Sequence, residues 1–181
     1  MGGKLLQLLR ECLPALSKIA VFWDETIARP QLEATAGAAR ATGIPFVSLP
    51  VRRAADVAVA FDTAIRERAN GLVVLTAPIF TQNQVRTAIT ELALKHRLPG
   101  ITLFTTFPEH GFLMAYGPNQ PDAFRRAATE YVVRILKGAR PAELPIQRPE
   151  KFELIINLKT AKALGLTIPP SLRLRADQMI E

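Results

Sequence analysis

Lys151-Phe152-Glu153-Leu154-Ile155-Ile156-Asn157-Leu158-Lys159-Thr160-Ala161-Lys162-Ala163-Leu164-Gly165-Leu166-Thr167-Ile168-Pro169-Pro170-Ser171 is the stretch whose reading decides how this chain is built. An apolar, β-branched run passes without a loop into a helical pattern. Gly165 stops the helix, and Pro169-Pro170 leads away from it into a short tail. Alone, this strand-helix carries no chemistry. Its meaning comes from the elements before it.

Those elements repeat with a spacing of about 27 residues, near the length of a βαβ unit. Apolar runs predict strands at 19–23, 46–51, 71–75 and 101–104. The first and third are apolar nearly throughout, as in strands covered on both faces of a parallel sheet. Amphipathic helices are predicted at 29–42, 54–69 and 82–96, ended by Gly43, Asn70-Gly71 and Leu98-Pro99. A fifth strand at 112–116 follows the turn Pro108-Glu109-His110-Gly111. A long helix then runs from 121 to about 137. Its apolar stripe is Phe124, Ala127, Ala128, Tyr131, Val132, Ile135 and Leu136, and Gly138 stops it. Pro141, Pro145 and Pro149 mark an extended segment before the opening stretch. The expected fold class is α/β: a doubly wound, mainly parallel sheet of five to six strands flanked by helices. Residues 1–181 form one lobe, with 139–181 as extended return strand, short helix and tail.

A chain of 181 residues, 49% hydrophobic, is long enough for one well-buried core. No apolar run reaches the ~18 residues of a membrane span. The opening Met1-Gly2-Gly3-Lys4-Leu5-Leu6-Gln7-Leu8-Leu9-Arg10-Glu11 is interrupted by Gln7, Arg10 and Glu11. It lacks a small-residue cleavage site and reads as a helix rather than a signal peptide. The single Cys12 sits on that helix's apolar face as an inert thiol, and one cysteine says nothing of redox compartment. The net charge of +7 is spread along the chain without a stripe or motif, which argues against nucleic-acid binding.

In an open parallel sheet the site lies at the carboxyl ends of the strands. Here those positions carry Asp24-Glu25-Thr26, Thr76-Ala77-Pro78-Ile79-Phe80-Thr81-Gln82, Thr105-Thr106-Phe107 and Tyr116-Gly117 with Asn119. The set is rich in hydroxyls, amides and aromatics. The first βα turn has no glycine to admit a phosphate. Thr76-Ala77 stands where a phospho-receiver domain would place its acceptor aspartate. His96 closes a helix between Lys95 and Arg97, and His110 lies in a turn; neither approaches Cys12 in sequence. Asp24 and Glu25 read better as helix-dipole partners than as an acid–base pair. No catalytic, metal or cofactor site is expected. Binding remains, with Asp24, Thr76, Phe80 and Tyr116 as candidate ligand contacts and Trp23 and Phe107 as either core or site. Helix N-termini at this edge suit a carboxylate-bearing ligand.

The closing stretch resembles the C-terminus of the ABC-importer solute-binding proteins related to tryptophan/tyrosine-binding lipoproteins. Gly3-Lys4-Leu5-Leu6-Gln7-Leu8-Leu9-Arg10-Glu11-Cys12-Leu13-Pro14 resembles the helix opening their second lobe, and Ser17-Lys18-Ile19-Ala20-Val21-Phe22-Trp23 its first strand. Ala77-Pro78-Ile79-Phe80 resembles their Asp-Pro-x-Phe loop, with Ala77 in place of the acid. Gly111-Phe112-Leu113-Met114-Ala115-Tyr116-Gly117-Pro118-Asn119 resembles their Gly-Leu-Met-Ser-Tyr-Gly return. The resemblance implies a periplasmic binding protein-like type I fold, C-terminal lobe only. It also implies a small organic ligand such as an amino acid, an ABC permease partner and a periplasmic location. On this reading the signal peptide and first lobe are absent. Helix 121–138 is then expected to pack on that missing lobe or a partner, or to self-associate into a homo-oligomer. The alternatives are a cytoplasmic ligand-sensing or interaction module reusing the fold, favoured by the lack of an export signal, and a small α/β enzyme lacking a recognisable constellation.

Overall fold

A computed structural model of the chain describes residues 1–144 and 151–181. Pro145 and Pro149 of the expected extended segment lie outside the described residues. The strands β1 (Ile19–Trp23), β2 (Phe46–Pro50), β3 (Gly71–Val74), β4 (Gly100–Thr102), β5 (Met114–Pro118), β6 (Phe152–Asn157) and β7 (Gln178–Ile180) form one sheet. Their order is β2-β1-β3-β4-β5-β6-β7. The first five run parallel, β6 is antiparallel to β5, and β7 is parallel to β6. The seventh strand extends the expected sheet by one. It comes from the tail after Pro169-Pro170, and three residues without clear alternation give no strand signal. Strand β5 starts at Met114 rather than Phe112. The Phe112 ring is drawn beneath the sheet, edge-on to Phe107 at 5.5 Å and against Gly100.

Period-two alternation divides the core between the two faces of the sheet. Ile19, Val21 and Trp23 of β1 point to one side, where α1 (Gly2–Cys12), α2 (Arg29–Ala41), α7 (Leu158–Ala163) and α8 (Pro170–Arg175) add Leu5, Leu9, Ala39, Ala161 and Leu172. Ala20 and Phe22 point to the other, where α3 (Ala54–Arg66) and α4 (Asn83–Lys95) add Val57, Phe61, Val85 and Ile89. Cys12 is buried in the first core, and desolvation pushes its thiol up to about 11. It is therefore protonated and inert at neutral pH.

The deciding stretch folds as β6 running straight into α7. Asn157 makes the junction. Its Oδ1 accepts from the Thr160 N–H at 2.8 Å, capping the helix, while its Nδ2 donates to the Pro108 carbonyl at 2.8 Å. Gly165, with φ of 72°, ends α7 in a left-handed turn closed by bonds from Gly165 N to Lys162 O and Leu166 N to Ala161 O. Gly43 and Gly138 close other helices in the same way.

After β5, a helical segment comprises α5 (Gln120–Ala127), a wider π-type stretch Ala128–Val132 and α6 (Val133–Leu136). Asn119 caps it by accepting from the Asp122 N–H at 2.9 Å, and both Asn119–Glu153 side-chain contacts, at 3.0 and 3.1 Å, tie its start to β6. Phe124 is 75% exposed and Leu136 82%. Val132, Val133 and Ile135 are also exposed.

Candidate ligand-binding site

The carboxyl ends of β1 to β5 form one edge, and its centre is the end of β3. There Thr76 is half-buried, with its backbone clamped by Gln31 from the first turn of α2. Gln31 Oε1 accepts from the Thr76 N–H at 3.1 Å, and Gln31 Nε2 donates to the Thr76 carbonyl at 3.2 Å. With both backbone groups occupied, the Thr76 hydroxyl is left as the variable polar group. Beside it opens a cleft of about 410 Å³, lined among others by Gly2, Leu5, Gln31, Leu75, Thr76 and Leu103.

Two helix N-termini converge on this cleft. Neither α1 nor α2 has an acidic residue in its first turn or a side-chain cap. Their first N–H groups and dipole ends therefore make the cleft electropositive without a single charged side chain. The helices approach closely at Gly2, where a Cβ would stand 2.6 Å from Thr35 Oγ1. Larger residues there would push the start of α1 away from the middle of α2.

The other expected contacts are dispersed. Asp24 is spent on its own turn, accepting from the Thr26 N–H at 2.9 Å and hydroxyl at 2.6 Å. Helix α2 starts at Arg29, so Asp24 and Glu25 lie before it rather than in its first turn, and Glu25 pairs with Arg52 instead. Tyr116 is half-buried, its ring stacked on Phe152 at 5.8 Å and 27°. Phe80 departs from its expected place. Its ring is 0% exposed and packs in the α3–α4 core, because the turn Pro78–Thr81 folds it inward under the edge. Phe107 is core as well, stacked on Phe104. Trp23 is buried on the opposite face, where its indole N–H has no hydrogen-bond partner among the described residues. His110 is exposed, and His96 stacks on Phe61 at 6.0 Å.

Sequence reasoning missed Gln31. Its contact to Thr76 spans 45 residues, and no motif marks it. The one available signal was a polar side chain in the first turn of the helix after β1, a position that faces the edge in this architecture. Among the described residues no group of three His, Cys, Asp or Glu side chains could hold a metal, and no helix is long and apolar enough to cross a membrane.

Solved structures match this architecture over nearly the whole chain. A conserved domain protein from Vibrio cholerae aligns with a TM-score of 0.87 and 26% identity, covering 98% of this chain and 60% of that one. An ABC domain in complex with L-Trp from Streptococcus pneumonia aligns with a TM-score of 0.86 and 22% identity, covering 99% and 60%. A ligand-free, open substrate binding protein with adhesive properties from Clostridium difficile aligns with a TM-score of 0.72 and 21% identity, covering 98% and 59%. This chain thus spans about 60% of the length of each of the first two. No curated protein sequence matches it. The profile described as ABC transporter substrate binding protein matches residues 3–180, and the chain belongs to that family.

Proposed function

We propose that this chain is a ligand-binding lobe of an ABC-type importer's solute-binding protein, taking a small carboxylate-bearing molecule such as an amino acid at the carboxyl edge of its sheet. The observation that carries this reading is the Thr76 cleft. Two uncapped helix N-termini suit a carboxylate, the Thr76 hydroxyl can orient it, and Leu5, Leu75 and Leu103 supply apolar contact. The L-Trp complex of the Streptococcus pneumonia neighbour supports an amino acid as the class. Thr76 is the central contact, and Asp24 and Tyr116 stand at other strand ends of the same edge, outside the lining of this cleft.

An opposing lobe completes the enclosure, since the neighbours are longer than this chain by the share it does not cover. The exposed Phe124 and Leu136 of the 120–136 helix pack on that lobe, or on a second copy when the chain is alone. The lobe works outside the cytoplasm, alongside a permease.

Amide NMR titration tests the reading, because it detects millimolar binding. L-tryptophan and L-leucine should shift the amides of Gln31, Thr76 and Leu103, whereas tryptamine, which lacks the carboxylate, should not. Shifts located away from this edge, or equal shifts with tryptamine, would count against it.

A further inference from the structure

Helices α3 and α4 end alike. Ala64-Ile65-Arg66-Glu67-Arg68-Ala69 and Ala93-Leu94-Lys95-His96-Arg97-Leu98 place an aliphatic residue, a cation and then an arginine at equivalent positions. Both turns have the hydrogen bonds that Gly43, Gly138 and Gly165 close elsewhere: Arg68 N to Ile65 O with Ala69 N to Ala64 O, and Arg97 N to Leu94 O with Leu98 N to Ala93 O. Here, however, the left-handed residue is arginine, with φ of 58° at Arg68 and 51° at Arg97. Glycine is the less strained choice at such a position. A cation in the last helical turn is explained by the helix dipole, which accounts for Arg66 and Lys95. It does not account for two strained arginines, and strain retained at an exposed position points to function.

The two ends are adjacent. Helices α3 and α4 pack together, and the His96 ring lies over Phe61 of α3. Arg66, Arg68, Lys95 and Arg97 are all exposed and have no ion pair among the described residues, whereas Glu67 is engaged by Lys18 at 2.7 Å. Ile65 and Leu94 stand among these cations, 39% and 43% exposed. Both helices run against the parallel strands, so this pole lies at the amino ends, opposite the Thr76 cleft.

We propose that this pole docks on an anionic lipid surface. Four cations would meet headgroup phosphates while the two aliphatic tips reach the interfacial layer. The contact is weak and salt-dependent, and it holds the carboxyl edge away from the bilayer, open to solute from bulk. Nucleic acid is the less suitable polyanion, since no exposed aromatic stands among the cations to stack on bases.

Co-sedimentation of the 181-residue chain with phosphatidylglycerol-containing vesicles, against phosphatidylcholine alone, tests this. The chain should pellet with the anionic vesicles and be released by salt. R68G/R97G should bind roughly tenfold less or weaker still while its thermal midpoint does not fall, because glycine suits both turns. The charge-matched R29A/R173A should bind as the parent does. Absence of lipid-dependent pelleting would overturn the proposal. So would equal loss in R29A/R173A, which assigns the effect to net charge, or preference for duplex DNA at the same salt.

Discussion

Gly117 lies against the backbone of Leu103: a Cβ on Gly117 would stand 2.0 Å from the Leu103 carbonyl oxygen and 2.9 Å from its carbon. Strand β5 therefore leaves the sheet in contact with the loop after β4, and Leu103 also lines the Thr76 cleft. No rotamer change relieves a clash between backbone and Cβ. Gly117→Ala should destabilise the fold by about 1–3 kcal/mol and displace the Leu103 loop. Urea unfolding with an unchanged midpoint would show that the loop yields freely.

Gln31 is expected to matter more to the edge than its surface position on α2 suggests. Gln31→Ala leaves both backbone groups of Thr76 without their partner, at about 1–3 kcal/mol. Gln31→Glu can still accept from the Thr76 N–H but sets a carboxylate oxygen against its carbonyl, so it should not rescue. Hydrogen exchange at the Thr76 amide should quicken in Gln31→Ala, while Gln31→Glu should lose stability in urea through its clash with the Thr76 carbonyl. Protection unchanged from the parent would show that the side chain is a passenger.

Exposed Phe124 and Leu136 should drive self-association of the chain alone. Light scattering at tens of micromolar should show species above the 19.9 kDa monomer, and Phe124→Ser with Leu136→Ser should return the monomer. A clean monomer in the parent would refute the idea and leave an opposing lobe as the sole partner for this helix.

Acid should loosen three surface links together. A hydrogen bond from Arg125 holds Asp122 below the ordinary carboxylate range, Lys18 does the same for Glu67, and the Arg52 backbone N–H does so for Asp56. Each pKa is lowered on folding, so each contribution is present above the unfolded pKa and lost as pH falls through the folded one. These groups lie at the solvent-accessible surface, so the slope should be shallow and diminished by salt. Asp122→Asn should flatten it further, and a slope equal to the parent's would exclude Asp122 as a contributor.

The sequence by itself determined the alternating βα order, the five parallel strands and the strand-helix at 152–163. Each is a local pattern: apolar runs for β1 and β3, amphipathic periodicity for α3 and α4, and glycine at 43, 138 and 165 where a helix must turn left-handed. The tertiary structure alone decided the seventh strand, which is three residues long and exists because β6 offers it an edge. It also decided the site. Thr76 was legible because strand ends are predictable, but Gln31 reaches it through a fold that joins residues 45 positions apart. Phe80 is drawn into the core by the Pro78–Thr81 turn, and only packing reveals on which side of a loop an aromatic falls. The two arginine-capped ends were visible as similar strings, yet their strained φ and their adjacency arise only when α3 and α4 pack side by side.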